Sequence, residues 1–600
     1  MKNSAVGPLH RDCGSLHPQD EGTEVEIRGW VNSTRDHGGL IFVDVRDSSG
    51  IAQAVADPRT APEAAAAASS LRSEDVVALR GAVRRRPTGT ENPKLTSGDT
   101  EVALDSVSIL NRSLTPPFPV HGEADVEEGL RLKYRYLDLR RPHMQRNLAL
   151  RHRAIKAVRD YLDEQGFLEI ETPMLIKQTP EGARDFLVPS RLHGGQFYAL
   201  PQSPQLFKQL LMVAGFGRYF QIARCFRDED ARSDRQPEFT QIDLEMAFPT
   251  IEGVIAVVEG MLAHMFRQAL AVDVGAPFRR LSHADAMARY GSDKPDLRFG
   301  MELIEVTPAF EGTQFKVFAA AVQAGESIVG VVDEGGAARS RRDFDALARV
   351  AAEWGAKGLA WIAFTPDGLK SSLPKAALET QTIDRLGALT HAKQGDAVLM
   401  VAAERTEART LAGKMRLHLA AQNNLRDARR FEFCWVLDFP LFEINPEGGI
   451  GPMHHPFTAP AVGSESLPGD PLSLRAQHYD VVLNGSELGS GSIRIHDAAL
   501  QRRIFAMLGY PEDEVAERFG FLLEALAFGA PPHGGMALGV DRIVQIMVGA
   551  ESIREVIAFP KNQRFQDLMM QAPARVPKAL LDELRLRVDL PPAPPVSQRS

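Results

Sequence analysis

Between Tyr219 and Met246 the chain reads YFQIARCFRDEDARSDRQPEFTQIDLEM, two strand-like runs joined by a polar loop. The second run alternates strictly. Thr240, Ile242, Leu244 and Met246 fall on one face, and Gln241, Asp243 and Glu245 on the other, the period of a half-buried strand. The first run ends on Arg227, Asp228 and Glu229, so the stretch predicts an antiparallel hairpin. Two carboxylates and an amide opposite an arginine are expensive to desolvate unless they bind something. A salt-bridged hairpin on a solvated sheet is the plainer alternative.

The same reading extends along the chain. Residues 23–110 form short apolar runs punctuated by turns: EVEIRGWVNS, GGLIFVDVRD and GIAQAVAD, an Ala-rich helix at 61–71, then DVVALRGAVRRR and TEVALDSVSIL. Such a pattern predicts a small β-barrel of the oligonucleotide-binding kind. Phe42 is then either core or a base-stacking ring, with Arg35, Gln53 and Glu101 on neighbouring elements. TPPFPV (115–120) marks a boundary. RLKYRYLDLRRPHMQRNLALRHR (131–153) is dense in Arg and Lys, which suits either a solvated helix face or a phosphate-tracking surface. A helical period then places Leu148, Ile155, Val158 and Leu162 on one stripe, ending at Gly166. FLEIETP predicts a strand stopped by Pro173, YALPQSPQLFKQLLM a strand leading into a helix, and 251–280 a further helix. Residues 301–428 alternate strands and helices and carry neither a phosphate loop nor a metal cluster, as a separate α+β domain would.

Composition narrows this picture. The 600 residues are 44% hydrophobic with a net charge of −9. A globular chain of about three to five domains follows, and nucleic-acid contacts are left to local patches. Cys13, Cys225 and Cys434 are far apart, which fits a reducing cytosol and argues against a disulfide framework or zinc site. No signal-like segment and no apolar run of about 18 residues is present, so a cytoplasmic protein without a membrane span is expected. The terminal PPAPPVSQRS has the composition of a disordered tail.

Two further stretches carry chemistry. In HYDVVLNGSELGSGSIRIHD, Asp480 and Glu487 lie beside small residues, an arrangement that suits Mg²⁺ bridging nucleotide phosphates. In GGMALGVDR a strand turns through glycine into a helix, placing Arg542 where backbone N–H groups and a guanidinium both favour phosphate. The stretch lacks a GK[ST] ending and is no P-loop.

Taken in order, GFLEIETP, FRDE…RQPEFTQIDLE and GGMALGVDR resemble the three signature motifs of class II aminoacyl-tRNA synthetases. LKYRYLDLRR, TPEGARDF, YALPQSPQLFKQ, MHHPFT, GSIRIH and IAFPKN resemble blocks of the bacterial-type aspartyl-tRNA synthetase family. Stretches like HIGH and KMSKS, the marks of class I, are missing. The resemblance implies a multidomain α+β fold. Its parts are an N-terminal OB-fold β-barrel for the anticodon (1–114), a hinge (115–142), a class II antiparallel-sheet catalytic core (143–300 and 429–585), an inserted α+β domain (301–428) and a tail (586–600).

The resemblance also implies roles. ATP would be held by Arg227, Asp228, Glu229, Gln236, Glu487, Gly539, Val540, Asp541 and Arg542, with Arg227 and Arg542 catalytic. Mg²⁺ would lie on Asp480 and Glu487. Aspartate would be bound by Glu181, Ser203, Gln205, Lys208, Arg227, Asp243, His454, His455 and Arg494, with Arg494 forking onto its side-chain carboxylate. In that scheme asparagine is rejected because its amide leaves Arg494 without a countercharge. The alternative for the histidines is a satisfied core pair. Arg35, Phe42, Gln53 and Glu101 would contact the anticodon. His37 and Gly89 resemble the residues of non-discriminating enzymes that charge tRNA(Asp) and tRNA(Asn). Pro173 and its helix imply a C2 homodimer. A strictly tRNA(Asp)-specific enzyme, an asparagine or lysine synthetase and a non-catalytic tRNA-binding paralogue are the other readings.

Overall fold

The structure is a computed structural model that describes residues 9–122, 124–179, 182–230, 234–445, 448–463, 467 and 469–590. Glu181 and the 591–600 tail lie outside them. The chain forms two compact units, one of residues 1–148 with 558–562 and 566–573, the other of 149–557 with 563–565 and 574–600.

In the first unit, strands β1 (Glu24–His37), β2 (Leu40–Arg46), β3 (Ile51–Ala56), β4 (Val76–Arg85) and β5 (Thr100–Asn111) close a barrel. β1 pairs with β2 and β4, β5 pairs with β4, and β3 meets β5 in parallel. Alternate residues such as Val25, Ile27, Val43, Val45 and Leu79 fill it, joined by Ala64, Ala65 and Ala68 of α1 (Pro62–Ser69). Phe42 is half-buried, outside that core, and opposite Arg35 in the ladder. The core alternative for Phe42 therefore fails. His37 and Leu40 bracket Gly38 and Gly39, whose φ values of 62° and 85° make the tight turn that non-glycine residues resist. Asp75, at the start of β4, accepts from the Arg72 N–H, the Ser113 N–H and the Arg112 guanidinium at 3.0, 2.8 and 2.9 Å, tying the start of β4 to the end of β5.

The arginine-rich run behaves differently from either expectation. Arg131 donates to both oxygens of Asp138 at 2.9 and 3.1 Å, Arg135 reaches one at 2.6 Å, and Arg141 lies 3.7 Å away. Asp138 is fully buried. Arg140 contacts Glu74 at 2.8 Å and lies over the Trp30 ring. Much of this basic density therefore surrounds internal carboxylates rather than facing solvent.

The second unit is built on an eight-stranded sheet. Its elements are α2 (Pro142–Glu164) from residue 149 onward, β6 (Leu168–Glu169), α3 (Gln205–Val213), β7 (Arg218–Phe226), β8 (Glu238–Ala247), α4 (Ile251–Leu270), β9 (Arg279–Ser282), β10 (Phe433–Leu437), β11 (His478–Leu483), β12 (Ser486–Ile493), β13 (His533–Gly539) and α5 (Val540–Val548). The spatial order is β9-β10-β11-β12-β13-β8-β7-β6, antiparallel except for the outermost pair at each end. One face carries Ile242, Leu244, Tyr479, Val481 and Met536 and is covered by α2, α4 and α5. The stripe that α2 buries is Leu150, Ala154, Val158 and Leu162, with Leu148 outside it and Ile155 only partly packed. The small Ala154 is part of the seam, which a search for large residues overlooks. α4 stops at Leu270, shorter than expected, because Ala271 turns left-handed at φ 57°. After Gly166 only Leu168 and Glu169 pair as strand, so the FLEIETP strand is brief.

Within this unit the insertion has its own antiparallel sheet, ordered Ile304–Glu305, Ser327–Asp333, Ala397–Ala403, Ala360–Thr365 and Gly368–Ser371. Helices Arg341–Glu353 and Arg405–Gln422 bury Phe344, Leu347, Leu411 and Met415 against one face. Phe318 and Leu386 of helices Lys316–Gln323 and Thr380–Thr390 cover the other. Arg416 anchors the insertion. Its guanidinium donates to the carbonyls of Met301, Asp296, Phe299 and Gly300 at 2.9 to 3.1 Å, and it lies 4.0 Å from the Phe299 ring centroid.

Candidate active site

The sheet face opposite the hydrophobic core floors a cavity of about 520 Å³. β7 and β8 pair in register from Arg218↔Met246 to Phe226↔Glu238, so the expected hairpin forms. Its polar face is not solvated: Gln241, Asp243 and Glu245 are as buried as their apolar neighbours. Distant cations compensate them. Lys208, from α3, lies 2.6 Å from Asp243 and 3.3 Å from Glu245. Arg494, just after β12, forks onto Glu245 at 3.0 and 3.2 Å. All four side chains are at most 2% exposed. Burial pushes the Asp243 carboxyl upward, against the pull of Lys208. Burial acts the same way on Glu245, but Arg494 and Lys208 overcome it and hold that carboxyl low.

Arg494 therefore already has a countercharge, which corrects the asparagine argument. Its remaining donors meet the Ser492 hydroxyl at 2.7 Å, His455 Nε2 at 2.8 Å and the Gly535 carbonyl at 3.3 Å. On its other side, His455 Nδ1 accepts from the Phe457 N–H at 3.2 Å and lies 3.4 Å from the Thr458 hydroxyl. With Lys208 and Arg494 both presenting N–H donors, this end of the cavity suits an anionic group better than an amide, whose NH₂ would meet donors. Asp243 keeps one oxygen, Oδ2, buried without a hydrogen bond. A buried acceptor in that state suits an incoming ammonium group. Ser203 and Gln205 line the cavity nearby, Gln205 being held by Gln209 at 3.2 Å.

The two expected histidines have different fates. Both line the cavity, but His455 has neighbours at both ring nitrogens, whereas His454 keeps Nε2 buried and unpartnered. Burial and the neighbouring His478 bring the His454 pKa down to about 3, so the ring is neutral.

Asp480 and Glu487 meet through a bulge. Along β11–β12, Val481 pairs with Gly489 but Val482 pairs with Glu487, so Leu488 is the extra residue. Without it, the two-residue period would turn Glu487 to the core face, which Leu488 occupies instead. Burial pushes the Asp480 carboxyl up to about 6 and, with repulsion from Asp480, the Glu487 carboxyl up to about 7. Two adjacent buried carboxylates that resist ionising together fit a divalent cation.

At the far end, Arg542 opens α5 and donates to the Glu487 carbonyl at 2.5 Å. Arg227 lies over the Phe239 ring, 5.1 Å from its centroid, and its Nε is buried without a partner. Glu229 is ion-paired with Arg235, and Gln236 also lines the cavity. Three expected nucleotide contacts take a different form. The Asp541 carboxylate is engaged by the Thr240 N–H at 3.0 Å and Arg151 at 2.5 Å. Val540 packs into the core, so it and Asp541 can offer only backbone, while Gly539 lines the cavity. Asp228 lies off the cavity, its N–H bonded to the Arg184 carbonyl. Sequence reasoning missed Phe239 and Lys294, which also line the cavity. Phe239 belongs to the same alternating face as Asp243 and could have been read from it.

On the barrel, Arg35 donates to Asp44 at 3.0 Å and Gln53 at 3.5 Å, and Gln53 donates to Glu101 at 2.8 Å. The four expected residues thus lie on adjoining strands, with Arg84 also on Glu101. His37, at the exposed end of β1, and Gly89, in an exposed turn with φ 89°, stand apart from them.

A mostly antiparallel sheet, cradling buried opposed charges and a glycine-bordered carboxylate pair, accords with family models matching residues 127–563 (tRNA synthetases class II, D, K and N) and 25–110 (OB-fold nucleic acid binding domain). The chain belongs to the class II aminoacyl-tRNA synthetases of that group. More particularly, it is 52% identical over 583 residues to an aspartate--tRNA(Asp/Asn) ligase of Moorella thermoacetica, covering 96% of this chain and 97% of that one. Another ligase of the same description, from Heliobacterium modesticaldum, is 50% identical over 98% of this chain and 97% of its own length. Among solved structures, an asparaginyl-tRNA synthetase from Pyrococcus horikoshii complexed with asparaginyl-adenylate shares the fold. Its TM-score is 0.58 at 18% identity, over 95% of this chain and 99% of that one.

Proposed function

We propose that this chain joins L-aspartate to the 3′ end of tRNA(Asp) and of tRNA(Asn), through an aspartyl-adenylate formed from ATP. The observation that carries the reading is the buried quartet of Lys208, Asp243, Glu245 and Arg494, at the base of a cavity that also holds Arg227 and Arg542. Arg494 and Lys208 receive the side-chain carboxylate, and Asp243 Oδ2 receives the ammonium. The α-carboxylate is thereby turned towards the α-phosphorus, where Arg227 offsets the developing charge. The attacking carboxylate is already ionised, so positioning and electrostatics carry the rate without a general base. Arg542 and the Gly539–Asp541 backbone hold the distal phosphates. Asp480 and Glu487 would hold Mg²⁺, which when bound neutralises phosphate charge. The first unit supplies the anticodon surface, with Phe42 as its stacking ring.

Amino-acid-dependent ATP–pyrophosphate exchange tests the first step. Aspartate alone should drive it, and exchange with asparagine or lysine would end the reading. Charging of purified tRNA(Asn) tests the second, since no aspartyl-tRNA(Asn) at high enzyme concentration would leave a strictly tRNA(Asp)-specific enzyme.

Leu168, Phe248 and Phe528 are 55, 76 and 80% exposed, and Leu168 and Phe248 line one concavity beside the β6 edge. These apolar surfaces support a homodimer. The buried free cysteines, and the lack of any helix long and apolar enough to cross a membrane among the described residues, support a cytoplasmic location.

A further inference from the structure

His478 Nε2 lies 2.8 Å from Asp480 Oδ1 and 3.0 Å from the Ser490 hydroxyl. The strands create this triangle. His478 and Asp480 are two residues apart on β11 and so share a face, and Ser490 is the residue directly opposite Asp480 on β12. His478 is 1% exposed and has its other nitrogen, Nδ1, buried without a partner. A buried N–H without an acceptor is costlier than a buried lone pair, so the single ring proton resides on Nε2 and points at Asp480. The ring cannot easily turn. His454 stacks on it with centroids 3.3 Å apart, and Phe439 meets it edge-on at 5.0 Å.

We propose that His478 and Ser490 are positioning residues that fix the Asp480 carboxylate for the divalent cation, so that cation affinity depends on a histidine that never touches the ion. The inference rests on Asp480 being a cation ligand. Mg²⁺ demands near-octahedral geometry and tolerates little ligand rotation. A hydrogen bond that fixes a ligating side chain changes metal affinity by about 10- to 100-fold in other sites. Here His478 engages Oδ1 and leaves Oδ2 as the oxygen to face a cation, while Ser490 stands against the same carboxylate from the opposite strand.

The test titrates the full-length enzyme with Mn²⁺ in the presence of ATP and follows free Mn²⁺ by its EPR signal. His478→Leu fills the same space without a donor and should weaken Mn²⁺ by about tenfold or more. His478→Gln restores a donor and should lie within about threefold of the wild type. Ser490→Ala should fall between them, and in all three the aspartate KM should stay fixed, a pattern that general loosening of the core would not give. Mn²⁺ binding unchanged in Asp480→Ala would overturn the cation reading itself. Loss in Asp480→Ala with unchanged binding in His478→Leu would overturn the positioning role alone. Equal loss in His478→Leu and His478→Gln would overturn it too.

Discussion

Glu245 is the residue on which the cationic end of the cavity turns. It takes both forks of Arg494 and lies within ion-pair distance of Lys208, so it holds two cations that would otherwise repel across a fully buried space. Arg494 can do this only because its guanidinium is planar and offers five donors. Arg494→Lys should therefore raise the aspartate KM by about 100-fold or more while leaving the ATP KM within about threefold. Pyrophosphate exchange at varied aspartate measures it, and an unchanged aspartate KM would remove Arg494 from the binding site. The alternation of β8 made the carboxylate face legible in sequence. What it left open was the environment, because the compensating charges come from Lys208, 35 positions before Asp243, and Arg494, 249 positions after Glu245. A period reports which residues share a face, and only tertiary structure reports what lies against it.

At the scale of elements, the barrel strands were legible as short apolar runs between turns, β2 by its alternation and β3 by burial at five successive positions, and the tight β1–β2 turn announces itself through Gly38 and Gly39. The bulge at Leu488 was not, since glycine-rich sequence allows a bulge without specifying its position. The helix-like run around Asp138 is a third case. Its single internal acid gathers three arginines, and counting charge over the run concealed that. Asp75 gives a stability prediction on the same scale. Burial pushes its carboxyl up, but donors from Ser113, Arg72 and Arg112 prevail and hold it low. A carboxylate depressed in the folded state stabilises above its ordinary titration range and loses that contribution as pH falls through the folded value. Asp75→Asn should cost about 1–3 kcal/mol at pH 7. The gap to wild type should shrink once the pH is brought below about 4, as read from urea unfolding at each pH. A gap independent of pH would show that the Asp75 charge contributes nothing.

For the molecule as a whole, Phe248, 76% exposed in the concavity beside the β6 edge, marks an apolar surface suited to a partner. Phe248→Glu should convert the proposed dimer to monomer in sedimentation velocity at micromolar protein. A variant that sediments like the wild type would place the interface elsewhere. The insertion is a different matter, because its attachment is visible within the second unit. Arg416 is 1% exposed and is held by four carbonyl dipoles. Counterions disperse exposed ion pairs and strip polyanions from basic surfaces, but they do not reach a buried guanidinium bound to backbone oxygen. Rising ionic strength should then release tRNA long before it unseats the insertion. Loss of the nucleic acid and loss of the joint become separate events along one axis of added salt.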